Sequence, residues 1–293
     1  MLVTPLPGAH RDNVSSALRS VHLEASNLRS AHNGSAYSLL LAYLNWSSES
    51  VRTLRGQVRG ADIDRLILTR RHGALLDGVG HLAGTSQEKV VRGLVYLELD
   101  ERIEALAEAR NEFDRIGERW PRSLHYVVPD SSFFIHHPEK VEAADFGRLC
   151  GARDGRVRVL IPLVVIDELD RLKESKDRDV RWRAGYTLGV IDRLLQEKAP
   201  AVLQEQVPAR EAGDGEPRGE VSLEVLFDPP GHARLAIADD EIVDRAVTAQ
   251  ALTGKPITLV TYDTGQSMRG RQQGLCVRKL RTEAGSGPEP KSM

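Results

Sequence analysis

The chain has 293 residues and a formal net charge of −2, a length that predicts two domains at ~100–200 residues each. Its 41% hydrophobic residues suffice for packed cores and exclude a chain disordered throughout, while near-neutral charge excludes a polycation that holds nucleic acid by net charge alone but leaves room for a local basic face. Two cysteines, Cys150 and Cys276, exclude a disulfide scaffold and a cysteine-rich zinc module.

The opening MLVTPLPGAHRD has no basic stretch followed by an apolar one. No secretory leader is read there, and a reducing, cytoplasmic setting is expected. Apolar residues then recur at helical spacing in Val14–Leu28, Ala36–Leu44, Val51–Val58, Ile63–Leu76 and Val90–Ile116. The most apolar of these stretches, Tyr37–Leu44, falls far short of the ~20 residues that span a bilayer, so no membrane partner is expected. Breaks fall at residues 32–35, 60–62 and 84–86, and Thr85 or Ser86 is placed to cap the last helix. Residues 1–120 thus read as an all-α bundle of four or five helices, carrying 15 Lys+Arg against 15 Asp+Glu. An oligomer interface, a substrate lid and a partner surface are all open roles for it.

Trp120-Pro121 marks a boundary, because proline ends a helix at or before the preceding residue. Strands and helices then alternate. Strands are predicted at Leu124–Val128, Val157–Leu160, Val221–Phe227, Ile257–Val260 and Leu275–Leu280. Helices are predicted at Pro138–Leu149, Arg178–Glu197 and Asp239–Leu252, and the second strand leads through Ile161-Pro162 into Leu163–Leu169, a helical or extended turn. Residues 199–220, rich in Pro, Gly and Glu, read as a flexible insertion, and residues 284–293 as a disordered tail. The expected fold class of 121–283 is therefore α/β, a parallel sheet flanked by helices.

In an open α/β sheet, ligands bind at the carboxyl ends of the strands. Asp130 directly follows the first strand. Asp167 and Glu168 follow the second strand and its Ile161-Pro162 corner. Asp239 and Asp240 open a helix, and Asp263 follows the fourth strand. Carboxylates from four chain segments map to one edge of one sheet. Such a cluster is costly without a cation, and a set made only of carboxylates suits a hard one, Mg²⁺ or Mn²⁺. Taken singly, Asp130, Asp239 and Asp240 each also fit a plain helix cap.

Four blocks carry a family resemblance: PDSSFFIHHPEK at 129–140, IPLVVIDELDRLK at 161–173, ADDEIVDRA at 238–246 and LVTYDTGQSMRGRQQGL at 259–275. In order and spacing they resemble the signature blocks of the PIN domain, a family of Mg²⁺- or Mn²⁺-dependent ribonucleases. The resemblance covers about residues 124–281 and leaves the helical half unassigned. It implies a PIN-like fold and metal-assisted hydrolysis of RNA phosphodiesters by Asp130, Glu168, Asp239 and Asp263, with a 3′-hydroxyl and a 5′-phosphate as products. Asp240 replaces or assists Asp239 as a metal ligand, since Ala238 stands where the family often has Asn. Ser131 or Ser132 matches a small hydroxyl residue after the first acid. Asp170, Asp244 and Thr261 stand behind the ligands, and Asp167 points away. The family also implies a homo-oligomer.

Cations for the phosphates follow two acidic blocks. One stretch holds Arg171, Lys173, Lys176, Arg178, Arg181 and Arg183, and the other Arg269, Arg271, Arg278, Lys279 and Arg281. Lys173, Arg178, Arg269 and Arg271 are the chosen contacts. Interleaved Glu174, Asp177 and Asp179 allow the first stretch to be only a solvated helix face. The adjacent His136 and His137 do not have the spacing of a helical zinc pair, and Trp46, Trp120 and Trp182 read as core anchors. Two other readings stay open beside the ribonuclease: a non-catalytic nucleic-acid-binding or scaffold protein, and the toxin of a toxin–antitoxin pair.

Overall fold

The computed structural model describes residues 3–31, 34–77, 80–152, 154–196, 199–208, 217–229 and 231–281. The chain divides into two compact units, Met1–Pro121 with Ala251–Gly254, and Arg122–Gln250 with Lys255–Met293. The tail expected at 284–293 and the middle of the expected insertion, residues 209–216, lie outside the described residues. Among the described residues, no helix is long and apolar enough to cross a membrane.

The first unit is helical: α1 (Arg11–Ala31), α2 (Ala36–Arg55), α3 (Gly60–Leu66), α4 (Arg70–Asp77) and α5 (Glu88–Arg119). Ser35 caps α2 by accepting from the Ser38 N–H at 3.1 Å, which releases one of the orphan donors of the first turn. The segment read at 36–44 and the first part of that read at 51–58 form one continuous helix ending at Arg55, because the run Asn45–Ser50 buries Trp46, Ser47 and Ser50 rather than breaking the turn. The single helix read at Ile63–Leu76 is two, α3 and α4. Thr85 does not cap α5 directly. Its hydroxyl accepts from the Gln87 N–H at 3.2 Å, one turn ahead of the helix. Val14, Leu18 and Val21 of α1, Leu39 and Tyr43 of α2, and Val91, Val95, Leu99 and Leu106 of α5 form the core, at the helical spacing that made them visible in sequence.

The second unit carries β1 (His125–Pro129), α6 (Ser131–His136), α7 (Phe146–Leu149), β2 (Val157–Pro162), α8 (Leu163–Leu172), α9 (Arg178–Leu195), β3 (Ala201–Gln204), β4 (Val221–Leu226), α10 (Ala238–Thr253), β5 (Ile257–Thr261), α11 (Thr264–Gln272) and β6 (Cys276–Lys279). The sheet runs β3-β4-β2-β1-β5-β6. All neighbours are parallel except β3, which pairs antiparallel with β4. Every residue of β2 is buried, as a strand covered on both faces requires. The expected α/β class is present, with local differences, among them α11, a helix the sequence pattern does not predict. Ala201–Gln204, inside the stretch read as a flexible insertion, is an edge strand. The helix read over Pro138–Leu149 shrinks to α7 at its end, and a short helix not expected there, α6, precedes Pro138; Asp145 and Asp130 cap them.

Candidate active site

The chain reverses from β1 (Val127–Val128) into α6 through Asp130, whose backbone N–H still donates to Val260 O on β5 at 3.1 Å. The Asp130 carboxylate caps α6, accepting from the Phe133 N–H at 2.9 Å. It also accepts from the Ser132 hydroxyl at 2.7 Å and the Thr261 hydroxyl at 2.6 Å. It is 3% exposed. Burial pushes its pKa up from 3.8 to about 6, against the hydrogen bonds, which lower it, and with help from the negative charge of Asp239. The cap reading and the functional reading are thus both realised in one side chain.

Thr261, at the end of β5 and fully buried, ties the first acid to the fourth. Its Oγ1 donates to Asp130 and accepts from the Asp263 N–H at 2.8 Å. Asp263 is exposed and caps α11 by accepting from the Gln266 N–H at 2.6 Å. Gly270 lets α11 lie close on β5 and β6. A Cβ there would come 2.7 Å from Leu259 Cδ2 and 3.0 Å from Val277 Cγ2.

Glu168 projects from α8 and is half-buried. Burial raises its pKa, a hydrogen bond with Ser131 lowers it, and the charge of Asp239 raises it again. Its Oε2 is buried with no hydrogen-bond partner. The charge of Asp239 therefore acts on both Asp130 and Glu168, which brings acids from α6, α8 and α10 to one locality. Ser131 serves Glu168 and Ser132 serves Asp130, so each of the two hydroxyls has its own acid.

Asp239 and Asp240 share one cation. Arg269 of α11 places Nη1 2.9 Å from Asp239 Oδ2 and Nε 3.0 Å from Asp240 Oδ1. A Cβ built on Gly265 would lie 3.2 Å from Asp263 Oδ1 and 3.6 Å from Arg269 Nη1, so the fourth acid adjoins this pair. Arg269, chosen from sequence as a rim contact for phosphate, stands inside the acidic group as its counter-charge. The other residues fall as follows. Asp244 pairs with Arg245. Asp167 pairs with Arg234, which also holds Asp228. Asp170 pairs with Lys173 at 2.6 Å, so that lysine is already engaged. Arg178 and Arg271 are exposed on α9 and α11.

Sequence reasoning missed what fixes the start of α10. Glu241, 1% exposed, accepts from the Leu235 N–H at 2.9 Å and meets His232 Nε2 at 2.7 Å and Arg245 Nε at 3.3 Å. This clamp holds the preceding loop to α10 and so positions Asp239 and Asp240. Ligand atoms of Asp228, His232 and Glu241 lie within 4.8 Å of one another, a spacing open to a metal ion. Arg234 and Arg245 already neutralise the two carboxylates there, so the clamp stands without one. The only sequence signal was a third acid beside Asp239-Asp240, more than a cap requires.

The acids at the carboxyl edge fit a hard divalent cation. The donor set is oxygen, one buried carboxylate oxygen of Glu168 lacks a partner, and burial, with a smaller contribution from the charge of Asp239, raises the pKa values of Asp130 and Glu168.

No curated protein matches the sequence. Among solved structures, the tetrameric eIF2B-beta2-delta2 complex from C. thermophilum matches at 10% identity over 90% of this chain and 78% of that chain, with a TM-score of 0.21, a likeness too low to carry an argument. The family model described as PIN domain matches residues 127–281, the span that holds all four acids, Thr261 and the parallel part of the sheet save the first two residues of β1. The chain belongs to the PIN domain family and has its nuclease-type fold.

Proposed function

We propose that the chain is a metal-dependent ribonuclease that hydrolyses RNA phosphodiester bonds at the carboxyl edge of the sheet. The observation that carries this reading is that buried Asp130 and half-buried Glu168 both lie under the charge of Asp239, neither of them in an ion pair with Lys or Arg among the described residues. Asp130, Glu168, Asp239 and Asp263 would hold Mg²⁺ or Mn²⁺, with Asp240 as a fifth oxygen donor. Such an ion, when bound, supplies Lewis acidity and counter-charge to the scissile phosphate.

The rest of the work falls to the chain. Thr261 and Ser132 fix the Asp130 carboxylate in one orientation, and Ser131 does the same for Glu168. Arg269 holds Asp239 and Asp240 and is within reach of a phosphate oxygen once those acids turn to an ion. Arg178 and Arg271 supply sequence-blind contacts to the backbone. The test is cleavage of single-stranded RNA by purified full-length protein with Mn²⁺. Asp130→Asn and Glu168→Gln are each expected to lower the rate by about a thousandfold, the scale for losing a metal-assisted step. Cleavage unchanged in both variants would sink the proposal.

A further inference from the structure

Of the three tryptophans read from sequence as core anchors, one is exposed. Trp46 and Trp120 are each 5% exposed, whereas Trp182 is 51% exposed on α9. Trp182 stacks on Tyr186 one turn further along, with ring centroids 5.2 Å apart and planes 20° apart. The Tyr186 hydroxyl donates to both carboxylate oxygens of Glu142, at 2.9 and 3.0 Å. Lys140 places its ammonium 4.7 Å from the Tyr186 ring centre and 5.6 Å from that of Trp182. The indole is therefore held in place before any ligand arrives, which removes most of the ordering cost of using it.

The surroundings are cationic in effect as well as in count. Arg178 lies four residues before Trp182, on the same face of α9. Arg181 donates to the Ser175 carbonyl at 2.7 Å, and Arg183 to the carbonyls of Glu139 and Pro138 at 3.1 and 2.9 Å. Carbonyls fix these guanidiniums without cancelling their charge. Among the nearby acids, Asp177 caps α9 and Glu142 meets Tyr186 and Arg193, while Glu174 and Asp179 stay interleaved with the arginines. The face also leads to the acidic edge. The positive charge of Arg183 acts on His137 and Tyr262. Tyr262 sits between Thr261 and Asp263, and its backbone N–H donates to Ser132 at 3.0 Å.

An exposed, pre-ordered aromatic ring among uncancelled cations, beside a phosphate-cleaving edge, fits a base and its flanking phosphates. Resting on the ribonuclease reading, we infer that Trp182 is a stacking platform for an unpaired base of single-stranded RNA, positioned by Tyr186 and flanked by Arg178, Arg181 and Arg183. A protein partner on this face would not need an unpaired base, and the test separates the two.

Full-length protein without divalent metal is titrated with a short single-stranded oligoadenylate and, separately, with inorganic polyphosphate of matched charge. Oligoadenylate is expected to quench tryptophan emission. Trp182→Ala is expected to weaken oligoadenylate binding about tenfold, within the range for one base stacked on an aromatic ring. Trp182→Phe recovers most of that loss, and polyphosphate binds the wild type and Trp182→Ala equally. Equal oligoadenylate affinity in wild type and Trp182→Ala, or an equal loss of polyphosphate binding, overturns the inference. The titration needs no hydrolysis, so the two readings fail separately. Trp182-dependent binding by a chain that cuts no RNA supports the platform and counts against the nuclease. Cleavage by a chain whose oligoadenylate affinity ignores Trp182 does the reverse.

Discussion

Glu98 in the helical unit and Asp130 in the α/β unit are both buried carboxylates, 0% and 3% exposed, and their neighbours differ in kind. Glu98 meets Arg71 at 3.0 Å, Arg102 at 3.1 Å and the Thr69 hydroxyl at 2.6 Å. Its charge is cancelled twice over, so it ties α4 and the loop before it to α5. Asp130 meets two hydroxyls and one backbone N–H, and the nearest charge acting on it is that of another acid. Hydroxyls orient a carboxylate without neutralising it. One unit uses a buried acid to hold helices together, while the other holds a buried acid that hydroxyls orient and no Lys or Arg pairs among the described residues, the setting the proposed cation requires.

The sharpest way to break this comparison is to neutralise each acid in turn. Asp130→Asn is expected to remove RNA cleavage, the thousandfold effect above, while the melting temperature of the metal-free protein holds or rises. Glu98→Gln is expected to do the opposite. It leaves buried Arg102, 8% exposed, with only the more distant Glu101 carboxylate at 3.7 Å and the Arg65 carbonyl, at a cost of about 3 kcal/mol in chemical denaturation. Equal destabilisation by both variants would erase the distinction.

A smaller effect follows from pH. The folded-state pKa of Asp130 is raised, from 3.8 to about 6, so the folded protein holds that proton more tightly than the unfolded chain. The resulting stabilisation is full below pH 4 and disappears as pH rises through about 6. Acidifying metal-free protein from pH 7.5 to 5 should therefore raise its unfolding free energy relative to Asp130→Asn by about 1.4 kcal/mol, roughly half of the full effect reached below pH 4. Glu168 shifts in the same direction. Urea melts at the two pH values check the sign. A difference that falls on acidification contradicts the assigned environment.

The smallest effect concerns Arg269, which is 39% exposed in its side chain, as are its acidic partners, at 38% and 39%. Arg269→Ala should cost under about 1 kcal/mol, as half-exposed ion pairs do. It should also tighten Mn²⁺ binding several-fold, because the ion no longer competes with the guanidinium. Weaker Mn²⁺ binding in that variant would mean that Arg269 orders the site rather than competing for it.

Much of this was legible in the sequence because strand ends are. An apolar run followed by an acid places that acid at an edge, and Asp130 after Val127–Val128 and Asp263 after Leu259–Thr261 are both such cases. What could not be read was partnership across the fold. Arg269 follows Asp263 in the chain and looks like a rim cation until α11 is laid beside α10. His232 reaches Glu241 from a loop with no periodic pattern. Ala201–Gln204 is a four-residue edge strand inside a proline- and glutamate-rich stretch, too short for alternation to register. Trp182 is an aromatic at helical spacing, which in most sequences means core. Only its surroundings on α9 distinguish it.

The central claim is that the Asp130–Glu168 locality binds a divalent cation, and calorimetric titration of full-length protein with Mn²⁺ tests it most directly. Saturable binding by the wild type, weakened at least tenfold in both Asp130→Asn and Glu168→Gln, is the predicted result. Wild-type protein that takes up no Mn²⁺, or variants that bind it as tightly as the wild type, would contradict the account.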